Sequence, residues 1–168
     1  MTRPKSGGLR APEPLTQDHD VSRFDCGKPP LNDWLRQRAL RNEGRASRCF
    51  VACTGKQVQG FYCLAAGAVQ HADVPSALKR NMPPSIPVVI IGRMAVDLEW
   101  QEKGIGAGLL KDALLRILVA SESVGVRAVL VHAVDQTAVP FCTRYGFQPF
   151  PPGTLTLFLP LDRIAGRI

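Results

Sequence analysis

The sequence predicts a mixed α/β (α+β) structure built as one domain of layered sheet and helices. Three observations carry that prediction. Strand-like runs cluster in the first half, a β-branched run over Val88–Val96 is followed at Gly104 by a helical apolar period, and a strand-type run then precedes a short helix and a closing strand. With 168 residues the chain has room for a single substantial core and no second catalytic domain.

The elements follow in order. Residues 1–14 carry Pro and Gly breakers and little apolar content, so they read as a flexible N-terminal arm, with one domain spanning 15–168. Pro29 and Pro30 suit the first turn of a helix, where a missing N–H costs nothing. Behind them Leu31, Trp34, Leu35 and Ala39 form one apolar stripe, which predicts a helix over 30–43. Cys49–Cys53 and Val58–Val69 are β-type runs, and Thr54-Gly55-Lys56-Gln57 between them suits a hairpin turn.

A Pro-rich connection with one short helix leads to Val88–Val96, too β-branched for a favoured helix and expected as a central strand. From Gly104 to about residue 122, Leu109, Leu110, Ala113, Leu114, Ile117 and Leu118 trace a helical stripe. Ala128–Val134 reads as a buried strand, Gln136–Arg144 as a helix stopping at Gly146, and Thr154–Leu159 as the last strand.

Composition excludes several classes. An apolar content of 45% against 21% charged residues is that of a globular protein, not a disordered one. No apolar run approaches the roughly 18–20 residues that span a bilayer, and the basic, Gly-rich start lacks the apolar segment of a secretory signal. A cytoplasmic protein without membrane contact is the expectation. The five cysteines lack C-x-x-C pairing and read as reduced thiols, and the three histidines are scattered, so no metal is expected.

A formal charge of +7 favours an anionic partner. Arg36, Arg38, Arg41, Arg45 and Arg48 cluster on and just beyond the first helix, and with Arg93 they are the candidate nucleic-acid or partner contacts. A solvated helix face is the alternative use of the same residues.

The passage richest in chemistry is Arg93-Met94-Ala95-Val96-Asp97 followed by Gln101-Glu102-Lys103-Gly104-Ile105-Gly106-Ala107-Gly108. A strand ends, a short loop turns, and a glycine-rich segment opens a helix. Main-chain N–H groups at such a start are unsatisfied, the helix dipole favours negative charge there, and small residues let a diphosphate approach. A Walker loop would need Lys-Ser or Lys-Thr after the glycines, and a dinucleotide fold would need G-x-G-x-x-G; neither is present.

What remains, Q-x-x-G-x-G after a strand, resembles the acetyl-CoA motif of the GNAT acetyltransferases. The resemblance covers about residues 15–162 and is closest to the GNAT toxins of bacterial toxin–antitoxin pairs. Five ordered segments carry it: Phe24-Asp25-Cys26-Gly27, Leu31-Asn32-Asp33-Trp34-Leu35, Arg93–Asp97, Val131-His132-Ala133-Val134-Asp135, and Phe141-Cys142-Thr143-Arg144-Tyr145-Gly146-Phe147.

The resemblance implies a GNAT fold: a mixed, mainly antiparallel central sheet with helices on both faces and a splayed acetyl-CoA cleft. It implies that the backbone of Met94, Ala95 and Val96 pairs with the pantetheine arm. It also implies that the amides of Lys103, Gly104, Ile105, Gly106 and Ala107 hold the pyrophosphate, with Gln101 lining the turn and Asp135 and Phe141 near the thioester. The expected chemistry is attack of a neutral amine on the thioester, with expulsion of the CoA thiolate. The tyrosine that follows Phe in the family motif, the implied acid for that thiolate, is Cys142 here. Cys142 and Tyr145 are therefore the candidate proton donors.

For the acceptor, the toxin resemblance implies the α-amine of aminoacyl-tRNA, together with a cognate antitoxin and a homodimer. An acetyltransferase of a small-molecule or peptide amine is the alternative within the enzyme class. A non-catalytic acetyl-CoA-binding module acting through a partner is the alternative outside it. His132 reads as a satisfied strand histidine, and Asp97 and Glu99 as loop carboxylates able to accept the amine proton.

Overall fold

The computed structural model describes residues 8–164, which fall into two compact units. The first runs to Leu64 and includes Arg93–Ala113; the second comprises Ala65–Gly92 and the chain from Leu114.

In the first unit, β1 (Glu13–Pro14), β2 (Arg48–Thr54) and the start of β3 (Gln57–Gln70) form consecutive antiparallel pairs. The β2–β3 hairpin closes at Thr54↔Gln57, and Gly55 takes φ +58 in the two-residue loop, the left-handed conformation that such turns need and glycine supplies. Order begins earlier than the expected start at Leu15. Arg10 N–H reaches the Cys53 carbonyl at 3.0 Å and Glu13–Pro14 pairs with Val51 and Phe50, because an edge position tolerates proline and offers these backbone groups partners. Residues 1–7 of the expected arm lie outside the described residues.

The helix expected over 30–43 is two helices, α1 (Pro29–Gln37) and α2 (Ala39–Asn42). The prolines occupy the first turn as anticipated. At Arg38 the backbone leaves the helical region (φ −124, ψ −27), and beyond the break Ala39 is fully buried. Phe24, Trp34 and Phe61 form the aromatic centre of this unit's core beside Leu35, each burial being worth roughly 1.5–3 kcal/mol.

In the second unit, β4 (Ser85–Val96, its last residues in the first unit) runs parallel to β5 (Ala128–His132). The strand β5 pairs antiparallel with β7 (Thr156–Pro160), and β7 with the two-residue β6 (Gln148–Pro149). A mixed, mainly antiparallel sheet results, as expected. The parallel register runs from Val88↔Ala128 to Ile91↔Val131, whereas β4 continues to Val96. The short helix α3 (Ser76–Lys79) in the Pro-rich connection is held at its carbonyl end by Arg127, which donates to the oxygens of Ala77 (2.8 Å) and Leu78 (3.2 Å).

The long helix α4 (Ile105–Ala120) begins in the first unit and ends in the second. A 3-10 turn over Gln136–Ala138 runs into α5 (Val139–Arg144), and α6 (Leu161–Ile164) ends the described chain. No helix among the described residues is long and apolar enough to cross a membrane.

Candidate active site

The end of β4 is anchored before the chain turns. Asp97 N–H donates to the Gln59 carbonyl at 2.8 Å, and the buried Asp97 carboxylate accepts the N–H of Glu99 through one oxygen and that of Asp25 through the other, each at 3.0 Å. Both oxygens thus serve the backbone, which assigns Asp97 to holding the loop. Gln101 follows, donating to the carbonyls of Val96 (2.8 Å) and Cys26 (3.1 Å). Its carboxamide ties the loop to the strand it has just left.

The loop then takes two left-handed residues, Glu102 (φ +63) and Gly104 (φ +82), before α4 starts. A Cβ at Gly104 would meet nothing within 4 Å, so glycine is needed there for the backbone angle and not for space. The first helical bond of α4 runs from Gly108 N–H to the Gly104 carbonyl at 3.2 Å. The amides of Ile105, Gly106 and Ala107 therefore have no acceptor within the helix, at the end where its dipole is positive. Gly60 lets α4 approach, since a Cβ there would lie 3.2 Å from Leu109 Cδ1 and 3.5 Å from the Ala95 oxygen. Along β4, Ala95 is buried and its neighbours Met94 and Val96 are half-buried, the alternation of a strand.

The two early motifs turn out to brace this loop. Phe24 meets Phe61 edge-on at 5.4 Å, and Trp34 stacks on Phe61 at 6.1 Å. The Asp25 carboxylate accepts the N–H of Gly27 and the amide of Asn32, both at 2.9 Å, which together hold it below its usual range. Asn32 Oδ1 in turn accepts Cys26 N–H at 2.8 Å, and Gly27 takes φ +88. Asp25, Asn32 and Asp97 are supporting residues that periodicity and composition do not single out. Their only signal in the sequence is membership of motifs recognised for other reasons.

The arginines divide by what they touch. Arg36 donates to the Phe24 carbonyl and lies 3.7 Å from Asp33, and Arg48 lies 3.4 Å from Glu43. Both are committed within the chain. Arg38, Arg41 and Arg45 are exposed. The Arg93 guanidinium sits over the Trp34 ring, 4.5 Å from its centroid. A pocket of about 360 Å³ brings Arg93 together with Arg38, Asp33, Trp34, Gln37 and Asn42.

One cluster was not foreseen: ligand atoms of Glu13, His19 and Cys53 lie within 4.8 Å of one another. Thr16 N–H donates to His19 Nδ1 at 3.0 Å, which leaves the ring proton on Nε2, facing Glu13 at 2.6 Å. Arg10 reaches the same carboxylate oxygen at 3.2 Å, and burial pushes the Cys53 thiol up to about 11. The Glu13 carboxylate is thus engaged by both His19 and Arg10.

The remaining candidates belong to the second unit. The Asp135 carboxylate accepts the N–H of Thr137 at 2.9 Å and its hydroxyl, capping the 3-10 turn. Phe141 and Tyr145 meet edge to face at 5.2 Å. The helix α5 ends in a Schellman motif: Phe147 N–H reaches the Cys142 carbonyl (3.2 Å), Gly146 N–H reaches that of Thr143 (3.1 Å), and Gly146 takes φ +98. The Cys142 side chain is buried, and burial pushes its thiol up; Tyr145 is half-buried. His132 lies 3.3 Å from Thr156 Oγ1, as a paired strand histidine should.

A mixed sheet whose central strand ends in a tethered loop, followed by a helix start with three amides lacking helical acceptors, presents main-chain donors where the helix dipole favours negative charge. The acetyltransferase (GNAT) domain family matches residues 45–149, and the chain belongs to that family. It is 44% identical over 153 residues to the tRNA-acetylating toxin of Mycobacterium tuberculosis, covering 90% of this chain and 92% of that one. The solved structure of AtaT complexed with acetyl-methionyl-tRNAfMet matches with a TM-score of 0.85 at 31% identity, covering 94% of this chain and 98% of the other. A tyrosine-to-phenylalanine variant of AtaT bound to the C-terminus of the antitoxin AtaR and acetyl-CoA matches with a TM-score of 0.81 at 30% identity, covering 95% and 98%.

Proposed function

We propose that this chain acetylates the α-amine of aminoacyl-tRNA with acetyl-CoA as acetyl donor, and so acts in the cytoplasm as a translation-blocking toxin. The observation that carries the reading is the anchored turn over residues 101–107, with its three amides lacking helical acceptors, in a chain 44% identical to a tRNA-acetylating toxin over nine-tenths of its length.

In this reading the amides of Lys103, Gly104, Ile105, Gly106 and Ala107 hold the pyrophosphate, Gln101 keeps their loop in place, and the backbone of Met94, Ala95 and Val96 pairs with the pantetheine arm. Asp135 and Phe141 border the thioester end. The neutral amine attacks the thioester carbonyl, a C–N bond forms and the carbonyl electrons move to oxygen. The nitrogen, cationic after the attack, gives up a proton to solvent, collapse of the oxyanion breaks the C–S bond, and the thiolate takes a proton.

Tyr145 is the donor we favour for that proton. It is half-buried with its ring against Phe141, whereas the Cys142 thiol is buried, made less acidic by that burial, and shorter by a ring. Cys142 then serves as a packing residue at the helix stop.

AtaT in the solved complexes carries acetyl-methionyl-tRNA in one case and the antitoxin AtaR with acetyl-CoA in another. A charged tRNA and a cognate antitoxin are accordingly proposed as partners here, as is a homodimer, with Arg38, Arg41, Arg45 and Arg93 as the basic contacts. Incubation with labelled acetyl-CoA and a charged tRNA pool tests the whole reading. Label on aminoacyl ends is the expected result; label only on free amines or peptides, or none, refutes it.

A further inference from the structure

The register of β2 and β3 sets Cys49 directly opposite Cys63. Both main-chain groups of Cys49 point away from β3: its carbonyl accepts Leu15 N–H at 2.9 Å, and its N–H donates to Glu43 Oε1 at 2.8 Å. Cys49 and Cys63 are therefore a non-hydrogen-bonded pair of the β2–β3 ladder, the kind whose Cα atoms stand about 4.5 Å apart with the side chains close together on one face. A disulfide joins residues whose Cα atoms are about 4.4–6.8 Å apart, so the two strands need little movement to accept one.

The two side chains share the first unit's core, 0% and 2% exposed, and both are thiols in the structure. Burial, then Cys63 beside it and Glu43, push the Cys49 thiol up, which keeps the closed protein reduced. The remaining cysteines are placed differently. Cys53 stands opposite Val58 and lies about 13 Å further along β2 from Cys49. Cys26 donates its thiol to the Lys28 carbonyl at 3.6 Å, and Cys142 belongs to α5 of the second unit. Access to the pair lies at the edge of the sheet. The outer strand β1 is two residues long and contains proline, so few bonds hold that edge shut and opening there is local.

We propose that Cys49 and Cys63 are an oxidation site, at which hydrogen peroxide forms a cross-strand disulfide that staples the β2–β3 hairpin. One sulfur, as thiolate, attacks the O–O bond and becomes a sulfenic acid, and the hydroxide released takes up the thiol proton to leave as water. The second sulfur attacks the sulfenic sulfur; the S–S bond forms, the S–O bond breaks and a second water leaves. The sulfur pair has lost two electrons and the peroxide has gained them. The bridge closes a loop of about 15 residues, which restricts the unfolded chain more than the folded one. Its consequence is for stability, and it is read out without acetyl transfer.

The test treats the full chain, reduced and then freed of reductant, with hydrogen peroxide under native conditions. The mass should fall by two hydrogens, and titration after denaturation should find two of the five thiols gone. Trypsin cuts after Arg48 and Lys56, so a linked pair of peptides should appear, one beginning at Cys49 and the other carrying Cys63. That link should persist in Cys53→Ala and vanish in Cys49→Ala and in Cys63→Ala. The bridged protein should have an unfolding constant in urea smaller by up to about a hundredfold, and dithiothreitol should abolish the gain.

Five thiols retained until the protein unfolds, a first link between any other pair, or a sulfinic acid at one sulfur without a link overturns the proposal. So does a bridged form no more stable than the reduced one. The link is mapped in the wild type itself, and Cys63→Val, which keeps the buried position apolar and filled, replaces Cys63→Ala if that variant fails to fold.

Discussion

The carboxamide of Gln101 donates to the main-chain oxygen of Cys26, 75 residues away in sequence, at 3.1 Å, while also bonding Val96 at 2.8 Å. The early F-x-C-G motif and the glycine-rich turn are thereby one construction. Phe24-Asp25-Cys26-Gly27 supplies the carbonyl that steadies the loop, and Asn32 of α1 fixes that segment by binding both Cys26 N–H and the Asp25 carboxylate.

Removing the tether should loosen the turn more than the fold. For Gln101→Ala we expect acetyl-CoA affinity to fall by about tenfold, the order expected for losing one or two hydrogen bonds of about 1 kcal/mol each, with thermal stability nearly unchanged because the side chain is exposed. Calorimetric titration with acetyl-CoA and a melting curve separate the two effects. Unchanged affinity would show that the loop keeps its shape without the carboxamide.

Tyr145 and Cys142 should differ sharply. Tyr145→Phe is expected to lower kcat by roughly a hundredfold with little change in KM, the usual scale for a positioned acid. Cys142→Ala should keep kcat within a few-fold and instead cost stability, since its side chain is buried. Steady-state kinetics with denaturant unfolding decides between them; a kcat loss confined to the cysteine variant would reverse the assignment.

The exposed arginines of the α2 region make a salt prediction. Charge reversal at Arg41 and Arg45 should weaken tRNA binding across sequences and reduce the slope of log affinity against log salt by about 1 for each phosphate no longer neutralised. Arg48→Glu should do less, because Arg48 already faces Glu43 at 3.4 Å. Binding isotherms at several salt concentrations check both; equal slopes for all variants would place the RNA elsewhere.

Glu13 should link N-terminal order to pH. Its hydrogen bond from His19, then that from Arg10, hold its carboxyl below the ordinary value of 4.5. A lowered folded-state value means stabilisation that is present above the unfolded value and is lost as pH falls through the folded one. Wild type should therefore melt slightly higher than Glu13→Gln at pH 7, by a margin that shrinks to nothing in acid below the folded value, small throughout because the carboxylate is 38% exposed. A margin that persists in strong acid would assign the difference to packing.

The periodicities were sufficient for most of the fold, and the departures have local causes. Helix α1 ends at Gln37 although the apolar stripe runs on to Ala39, because the stripe records which residues are buried and not whether the backbone stays helical between them. The strands β1 and β6 are two residues each and contain proline, so neither has a run long enough to show alternation, and both exist only because a neighbouring strand offers its edge.

The site divides the same way. The glycine-rich turn, its strand and its helix were legible because the directions of main-chain groups follow from local backbone geometry and from where glycine must stand. The arginine cluster was legible as composition only; that Arg36 donates to Phe24 and Arg93 stacks on Trp34 depends on partners brought from 12 and 59 positions away by packing.

The sequence by itself determined the fold class, the family and the position of the glycine-rich turn, since each depends on periodicity and on short motifs. Tertiary structure alone decided which polar side chains are spent inside the protein: Asp97 and Gln101 on the loop, Asp25 and Asn32 on each other, Glu13 on His19 and Arg10. A side chain's role depends on the partner that folding brings within about 3 Å, and no local pattern of residues encodes that distance.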